Sequence, residues 1–276
     1  MSTAEAPITA RPKMIAAGRI LLAAWAGSLT VAWLSATPGG LLGKADAIGY
    51  AVCHRIDLRS FHLGDRQLPL CARCTGTYLG TTLALGLLSA GGRRRAGLFP
   101  PARILFVMAL FGLAWAIDGL NSYLHLLRGV AWLYEPNNSL RLVTGMLFGL
   151  SLGTVVHAGF TQSVWKEYRP EPVLRSFSDL GILLLGGAVL VGLVLMENPL
   201  ILYPLALLSS FGIVLVLTAV YTVLALIWLR RDGRASAWRE LAWPLLAGVT
   251  LALGQIAAID LARYLLTRTW SGFAFS

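Results

Sequence analysis

Charge is what this 276-residue sequence has least of: 13% of its residues are Asp, Glu, Lys or Arg, while 57% are apolar. An ordinary soluble domain carries about 25% charged and about 45–50% apolar residues. So little charge on so much apolar mass excludes a disordered chain and a coiled coil. Cysteine is scarce too, with 3 residues, which excludes a small disulfide-stapled secreted module. Acidic residues number 13 against 23 basic ones, a formal charge of +10. That excess requires no nucleic-acid partner, because the basic residues lie between apolar runs, where they orient a membrane protein. The apolar residues form long runs separated by short charged islands, and the expected fold class is all-α, a polytopic transmembrane helix bundle.

About seven spans are predicted, at Ile20–Ala36, Thr75–Ala90, Ile104–Leu120, Leu142–Phe160, Leu180–Met196, Tyr203–Leu229 and Leu241–Leu266. Several fall a little short of the roughly 20 residues needed to cross, so their flanks must extend the helices. The first run follows Arg11, Lys13 and Arg19, but Leu34-Ser35-Ala36 is a poor signal-cleavage site, so an uncleaved span is expected. Basic residues gather before the first run, in Gly91–Arg103, in Lys166–Arg175 and in Arg230–Glu240. The positive-inside rule then puts the N-terminus in and the C-terminus out, in the cell (inner) membrane, with the 37–74 connection on the extracytoplasmic side. Three segments follow: 1–36 with the first span, 37–162 with the connection and spans two to four, and 163–276 as a three-span extension.

All three cysteines sit in or just after that connection, at Cys53, Cys71 and Cys74. A Cys-x-x-Cys pair lets two sulfurs converge on one ion or on each other, and Cys53 with a nearby imidazole completes a Cys3His set of the kind that holds zinc. His54 is the obvious fourth ligand and His62 the competitor, since adjacent residues such as Cys53 and His54 ligate one ion awkwardly. A redox dithiol at Cys71 and Cys74 is the alternative, the pair lying at a helix N-terminus that lowers a thiol pKa. A disulfide, or inert thiols that merely hold the loop, is the third reading.

The run Cys53-His54-Arg55, Arg59-Ser60-Phe61, then Pro69-x-Cys71-Ala72-Arg73-Cys74-Thr75-Gly76-x-Tyr78-x-Gly80 resembles the membrane family called domain of unknown function 2085, over about residues 53–153. The resemblance implies an Asp on the next span and an Asn-x-x-Arg with Thr-Gly before the one after. Asp118, Asn138, Arg141, Thr144 and Gly145 fit, and Asn121 stands where such proteins often have Gln near the Asp. It implies a membrane protein and no defined activity.

Ionisable groups at membrane depth are costly and are usually paired or functional. Asp118, Asn121 and His125 share one helical stripe near the outer end of the third span. Asn138 and Arg141 begin the fourth span, and the seventh brings Asp260 and Arg263 to a similar height. Neutralising pairs, Asp118 with Arg141 and Asp260 with Arg263, are the plainer account. His157, toward the inner half, reads as a packed histidine bonded to a neighbour. Thr75-Gly76-x-x-x-Gly80 and Thr144-Gly145-x-x-x-Gly149-x-x-x-Gly153 predict close packing of spans two and four, with Cys74 brought beside Arg141.

The leading functional expectation is an extracytoplasmic zinc site beside this cluster, binding or acting on a lipid or other anionic membrane-partitioned substrate. Asp118 is the candidate acid/base, and Arg55, Arg59, Arg73 and Arg141 the candidate anion-binding residues, since guanidinium forks bind such groups. The alternatives are a thiol–quinone oxidoreductase working through Cys71 and Cys74, with a quinone held in the bundle, and an accessory subunit among other subunits of a larger membrane complex. No nucleic acid is expected.

Overall fold

The computed structural model describes residues 12–271, with side chains from Ala16 onward; Arg11 and the side chain of Lys13 lie outside the described residues. The described residues are all-α, with eight α-helices: α1 (Pro12–Ala36), α2 (Gly40–Val52), α3 (Ala72–Ala90), α4 (Ala102–Arg128), α5 (Asn138–Val164), α6 (Phe177–Leu195), α7 (Pro199–Trp228) and α8 (Ala242–Thr267). Two small strand pairs join them: β1 (His62–Leu63) antiparallel to β2 (Arg66–Gln67), and β3 (Ala96–Leu98) parallel to β4 (Arg169–Pro172). Side-chain caps on the otherwise unbonded first-turn N–H groups start three helices. Asn137 accepts from Leu140 N, Ser176 from Asp179 N and Asn198 from Leu200 N.

Among the described residues, six helices are long and apolar enough to cross a membrane: α1, α4, α5, α6, α7 and the stretch Trp238–Thr267 that ends in α8. The expected second span is the exception. It folds as α3, whose threonines and glycines keep it below the hydropathy of the other six. The reason lies in its position, because α3 is packed against protein over most of its length, with exposure confined to Gly86, Leu87 and its last residues. Thr75, Gly76, Thr77, Leu79, Gly80, Thr81, Ala84 and Leu88 are all buried. A helix packed in this way against other helices needs small, close-fitting residues, not a lipid-soluble surface.

Its main partner is α5, as the repeated Thr-Gly patterns predict. A methyl group added at Gly145 would lie 2.2 Å from the carbonyl oxygen of Arg73, at Gly149 2.0 Å from that of Thr77, and at Gly153 2.6 Å from that of Thr81. From the other side, Gly76 and Gly80 meet the Leu142 and Met146 carbonyls at 2.2 and 2.6 Å. The contacts advance together along both helices, so α3 and α5 run parallel with their backbones touching. Only glycine permits that approach. The main core cluster runs from Phe61 and Leu79 through Leu142, Met146 and Leu150 to Leu180, Leu183 and Leu202, so α6 and α7 share it with α3 and α5.

The 37–74 connection is not an open loop. Its first part is the buried helix α2, whose Tyr50 is fully enclosed and whose Ala47 and Ala51 pack with Trp33 of α1 and Ile256 of α8. Thirteen residues are too few to cross a bilayer, so α2 carries the chain down into the bundle and stops at Cys53.

Candidate metal centre and arginine cluster

Cys53 caps the C-terminal end of α2 and Cys71 caps the N-terminal end of α3, with Cys74 in that helix's first turn. Two helix ends therefore meet at the sulfurs. Arg55 sits in the left-handed region at φ 51°, an uncommon conformation for a residue with a Cβ, and it reverses the chain just after Cys53. The Gln67 amide bonds to the Arg55 carbonyl at 2.9 Å and to Ser60 Oγ at 2.8 Å, which ties the β1–β2 hairpin under that turn. Gly49 lets the Pro69 carbonyl come within 2.0 Å of where a Cβ would stand, closing Leu70 and Cys71 onto α2.

The three sulfurs lie within 4.8 Å of one another, Cys53 and Cys71 buried and Cys74 half-buried, and all three are free thiols. The Cys71 N–H donates to Cys53 Sγ at 3.4 Å. Hydrogen bonds from the Cys71 and Cys74 side chains outweigh burial and hold Cys53 well below the ordinary thiol range. Ile213, Leu70 and Tyr78 wall the cluster. Tetrahedral zinc with sulfur at about 2.3 Å separates its sulfurs by about 3.8 Å, so three thiolates this close suit that ion in spacing and in softness.

Neither candidate imidazole joins them. His54 Nδ1 accepts the Ile56 N–H at 3.0 Å, and His62 Nε2 faces Asp57 at 2.9 Å on the exposed side of the hairpin. Turning away from Cys53 is the geometric consequence of adjacency, since successive side chains at this bend leave in different directions. The grouped ligand atoms are three sulfurs, not Cys3His.

Beside the sulfurs lies a second buried constellation, around Asp118 of α4. Its carboxylate accepts from Arg73 Nε at 2.9 Å, from the Tyr134 hydroxyl at 2.8 Å and from Thr144 Oγ1 at 3.4 Å. Arg73 thus takes the place expected of Arg141, because the parallel seam puts the first turn of α3 between α4 and α5. Arg141 donates to Asn138 Oδ1 at 2.8 Å and to Ser122 Oγ at 3.3 Å; Arg59 donates to the Ser122 carbonyl at 2.7 Å. Arg73 reaches Ser122 Oγ as well, at 3.0 Å. Three guanidiniums therefore converge on Ser122, and one of them, Arg73, also holds the Asp118 carboxylate. Burial first, and then the charge of Arg73, lowers the pKa of Arg59.

Asn121 pins the following loop, donating to the Tyr134 carbonyl and accepting from Leu133 N, both at 2.9 Å. Asn138 reaches the Leu58 and Ser60 carbonyls at 3.3 Å, joining the start of α5 to the hairpin segment. His125 lies on the same stripe, its Nδ1 buried without a hydrogen-bond partner. Arg55 is drawn away from the cluster into an ion pair with Asp46 of α2 at 3.0 Å, which Arg66 shares.

Asp260 and Arg263 feel each other's charge, and their hydrogen bonds also reach other elements. Asp260 accepts from Trp33 Nε1 at 2.9 Å and so fastens α1 to α8. Arg263 donates to the carbonyls of Tyr50, of Cys53 at 2.7 Å and of His54 at 3.3 Å. It caps the C-terminal end of α2, where carbonyls are unpaired and the helix dipole is negative. His157 is the packed histidine expected of it, Nε2 lying 3.2 Å from the Arg93 carbonyl.

Three residues of this constellation were not legible in the sequence. Ser122 was detectable in principle, one helical turn beyond Asp118. Tyr134 and Asp46 carry no local signal, because only the folded loop and the unforeseen α2 bring them in.

Residues 53–155 match the family described as "Predicted membrane protein (DUF2085)". That span runs from the first cysteine through the α3–α5 seam and holds the sulfur cluster, Asp118 and the three converging arginines. The chain is also similar to the uncharacterized protein MJ1492 of Methanocaldococcus jannaschii, at 25% identity over 124 residues, 45% of this chain and 72% of that protein. No solved structure matches the chain.

Proposed function

We propose that this is an inner-membrane protein whose Cys53, Cys71 and Cys74 hold a zinc ion on the extracytoplasmic side, next to an arginine cluster that binds a lipid or other anionic membrane-partitioned substrate. The observation that carries the reading is the adjacency of two buried groups with unspent chemistry. Three soft ligands lie within 4.8 Å of one another, and Arg59, Arg73 and Arg141 all bond Ser122, with Arg73 also holding the Asp118 carboxylate. Buried like charges repel, and an anion joining Asp118 would relieve that repulsion while accepting guanidinium hydrogen bonds. The chain supplies three thiolates, leaving the fourth position to a solvent or substrate oxygen, as in zinc sites that polarise a ligand. His54 would enter only by turning its free ring nitrogen toward the sulfurs. Asp118, held by Arg73 and Tyr134, positions the guanidiniums and is the candidate proton carrier.

With α3 counted as a seventh span, the basic loops fall on one side, the N-terminus in and the C-terminus out. This sidedness has its own test. A cysteine at the exposed Leu58, in a chain with its other cysteines masked, should react in intact cells with a membrane-impermeant maleimide; protection in cells and reaction after lysis would reverse the orientation.

A second reading rests on Cys71 and Cys74 standing at the N-terminal end of α3: a thiol–disulfide exchange with quinone as electron acceptor. Metal content and free-thiol count on the purified protein, with and without reductant, separate the two. About one zinc per chain that survives reductant and is lost in Cys53→Ser supports the metal centre. Metal-free protein with a Cys71–Cys74 bridge that opens under reductant supports the dithiol and removes the zinc.

A further inference from the structure

At the other end of the bundle, α3, α5 and α7 line a half-open cavity of about 600 Å³. Its wall is largely apolar, from Leu85, Phe160, Phe211 and Leu215, and Trp165 and Trp238 stand edge to face at 4.8 Å across one end. That volume is in the range of pockets that take small ligands, about 300–1,000 Å³. Measured along α3 it begins about 12 Å from Cys74, eight residues at 1.5 Å each. It is a separate place from the sulfurs and arginines.

Two polar groups in this wall are unspent. Thr218 Oγ1 is buried with no hydrogen-bond partner. Its neighbours behave differently: Thr81, Thr82, Thr154, Thr222 and Thr250 each donate to the carbonyl one turn back, at 2.6–2.8 Å. Thr218 does not, so its hydroxyl is a donor or acceptor left for something else, and leaving a buried hydrogen bond unmade is costly. The second group is Arg94. Of three consecutive arginines, Arg93 pairs with Asp179 at 2.7 Å, and Arg95 lies over the Trp165 ring at 4.7 Å and bonds the Ser236 carbonyl at 2.9 Å. Arg94 lines the cavity, bonds Ser89 O through Nε at 3.1 Å, and has no acidic partner among the described residues.

We infer that this cavity is a binding site for a single-chain anionic amphiphile: an acyl chain along the apolar wall, an acidic head at Arg94 and an oxygen of the ligand at Thr218. The charge comes from Arg94, which lines the cavity and has no ion pair among the described residues, and the chain from the apolar lining. The inference does not rest on the metal centre, and the two can fail separately. Gly86 supplies the means to test it, since it lines the cavity and a Cβ there would meet open space. A phenylalanine can therefore fill the cavity without striking backbone.

The experiment is equilibrium binding of an anthroyloxy-labelled stearate to the full chain purified in detergent, read by energy transfer from tryptophan. Saturable binding near one per chain is expected, weakened at least tenfold in Gly86→Phe and three- to tenfold in Arg94→Gln or Thr218→Val. Gly192→Phe, at an exposed glycine of α6 with open space around it, controls for the added ring and should bind as the parent does. Competition by stearate against lysophosphatidylglycerol tells a free fatty acid from a lysophospholipid. No saturable binding, or equal loss in Gly86→Phe and Gly192→Phe, overturns the site; stearyl alcohol competing as well as stearate overturns the anionic head.

Discussion

The two polar ends of this bundle use the same residue in opposite ways. At the cysteine end arginine is an interior residue: Arg55, Arg59 and Arg141 are 6%, 8% and 5% exposed, and each is bonded to a group on another element of the fold, Arg55 to the Trp270 carbonyl and the other two to Ser122. At the other end arginines line the rim of the bundle. Arg175 pairs with Glu171 four residues away, both partners about half exposed, and Arg169 bonds a loop carbonyl. Exposed pairs are screened and contribute about 0–1 kcal/mol, whereas removing one member of a buried pair leaves an uncompensated charge. The comparison teaches that the high net charge of the sequence has two physical meanings. One part lies exposed at the rim of the bundle, and the other is buried and hydrogen-bonded inside it.

Substitutions can break or sharpen that contrast. The largest effect is expected from Arg73→Met, which strands Asp118 in the interior; a loss of about 3–5 kcal/mol should appear as a large fall in melting temperature and in folded yield. If Arg73→Met melted like the parent, the cysteine end would not be held by buried charge. Arg93→Met at the opposite end leaves the partly covered Asp179 without its guanidinium, and a loss of about 1 kcal/mol is expected in the same melt. Tyr134→Phe removes one hydrogen bond to Asp118, again worth about 1 kcal/mol, and it carries a pH signature. Burial, and then the carboxylate it donates to, push Tyr134 up to about 12. An ordinary tyrosine titrates near 10, so the folded state holds this proton more tightly. The contribution of that phenol is therefore complete below about pH 10 and is lost as pH rises toward about 12. The parent should lose melting temperature more steeply across that window than Tyr134→Phe. Parallel slopes would mean that the hydroxyl does not serve Asp118. Smallest of all, Arg175→Met should change stability by less than about 0.5 kcal/mol, since its pair is exposed. A loss as large as that of Arg73→Met would erase the distinction between the ends.

Local pattern carried much of this. The Thr-Gly repeats announced the α3–α5 seam because small residues four apart are the local requirement for backbone contact, and the three sulfurs were visible as a group because two of them are three residues apart. Pairing was another matter. Asp118 was expected to meet Arg141 and met Arg73, since which arginine reaches it depends on the offset between two parallel helices. His54 looked like a ligand by proximity in sequence, yet the turn at Arg55 sends its ring toward Ile56. Span number also misled at one point, because hydropathy measures contact with lipid and α3 has little of it.

What the sequence by itself determined is the class of the molecule, an all-α membrane bundle, and the residue types of its candidate site. Both follow from composition and short-range spacing, which act along the chain. The tertiary structure alone decided that α2 descends to deliver Cys53, that Arg263 caps it, that neither histidine joins the sulfurs, and that a cavity lies beyond them. Those outcomes depend on contacts between residues far apart in sequence. Such contacts are set by how whole helices pack, and no local pattern records them.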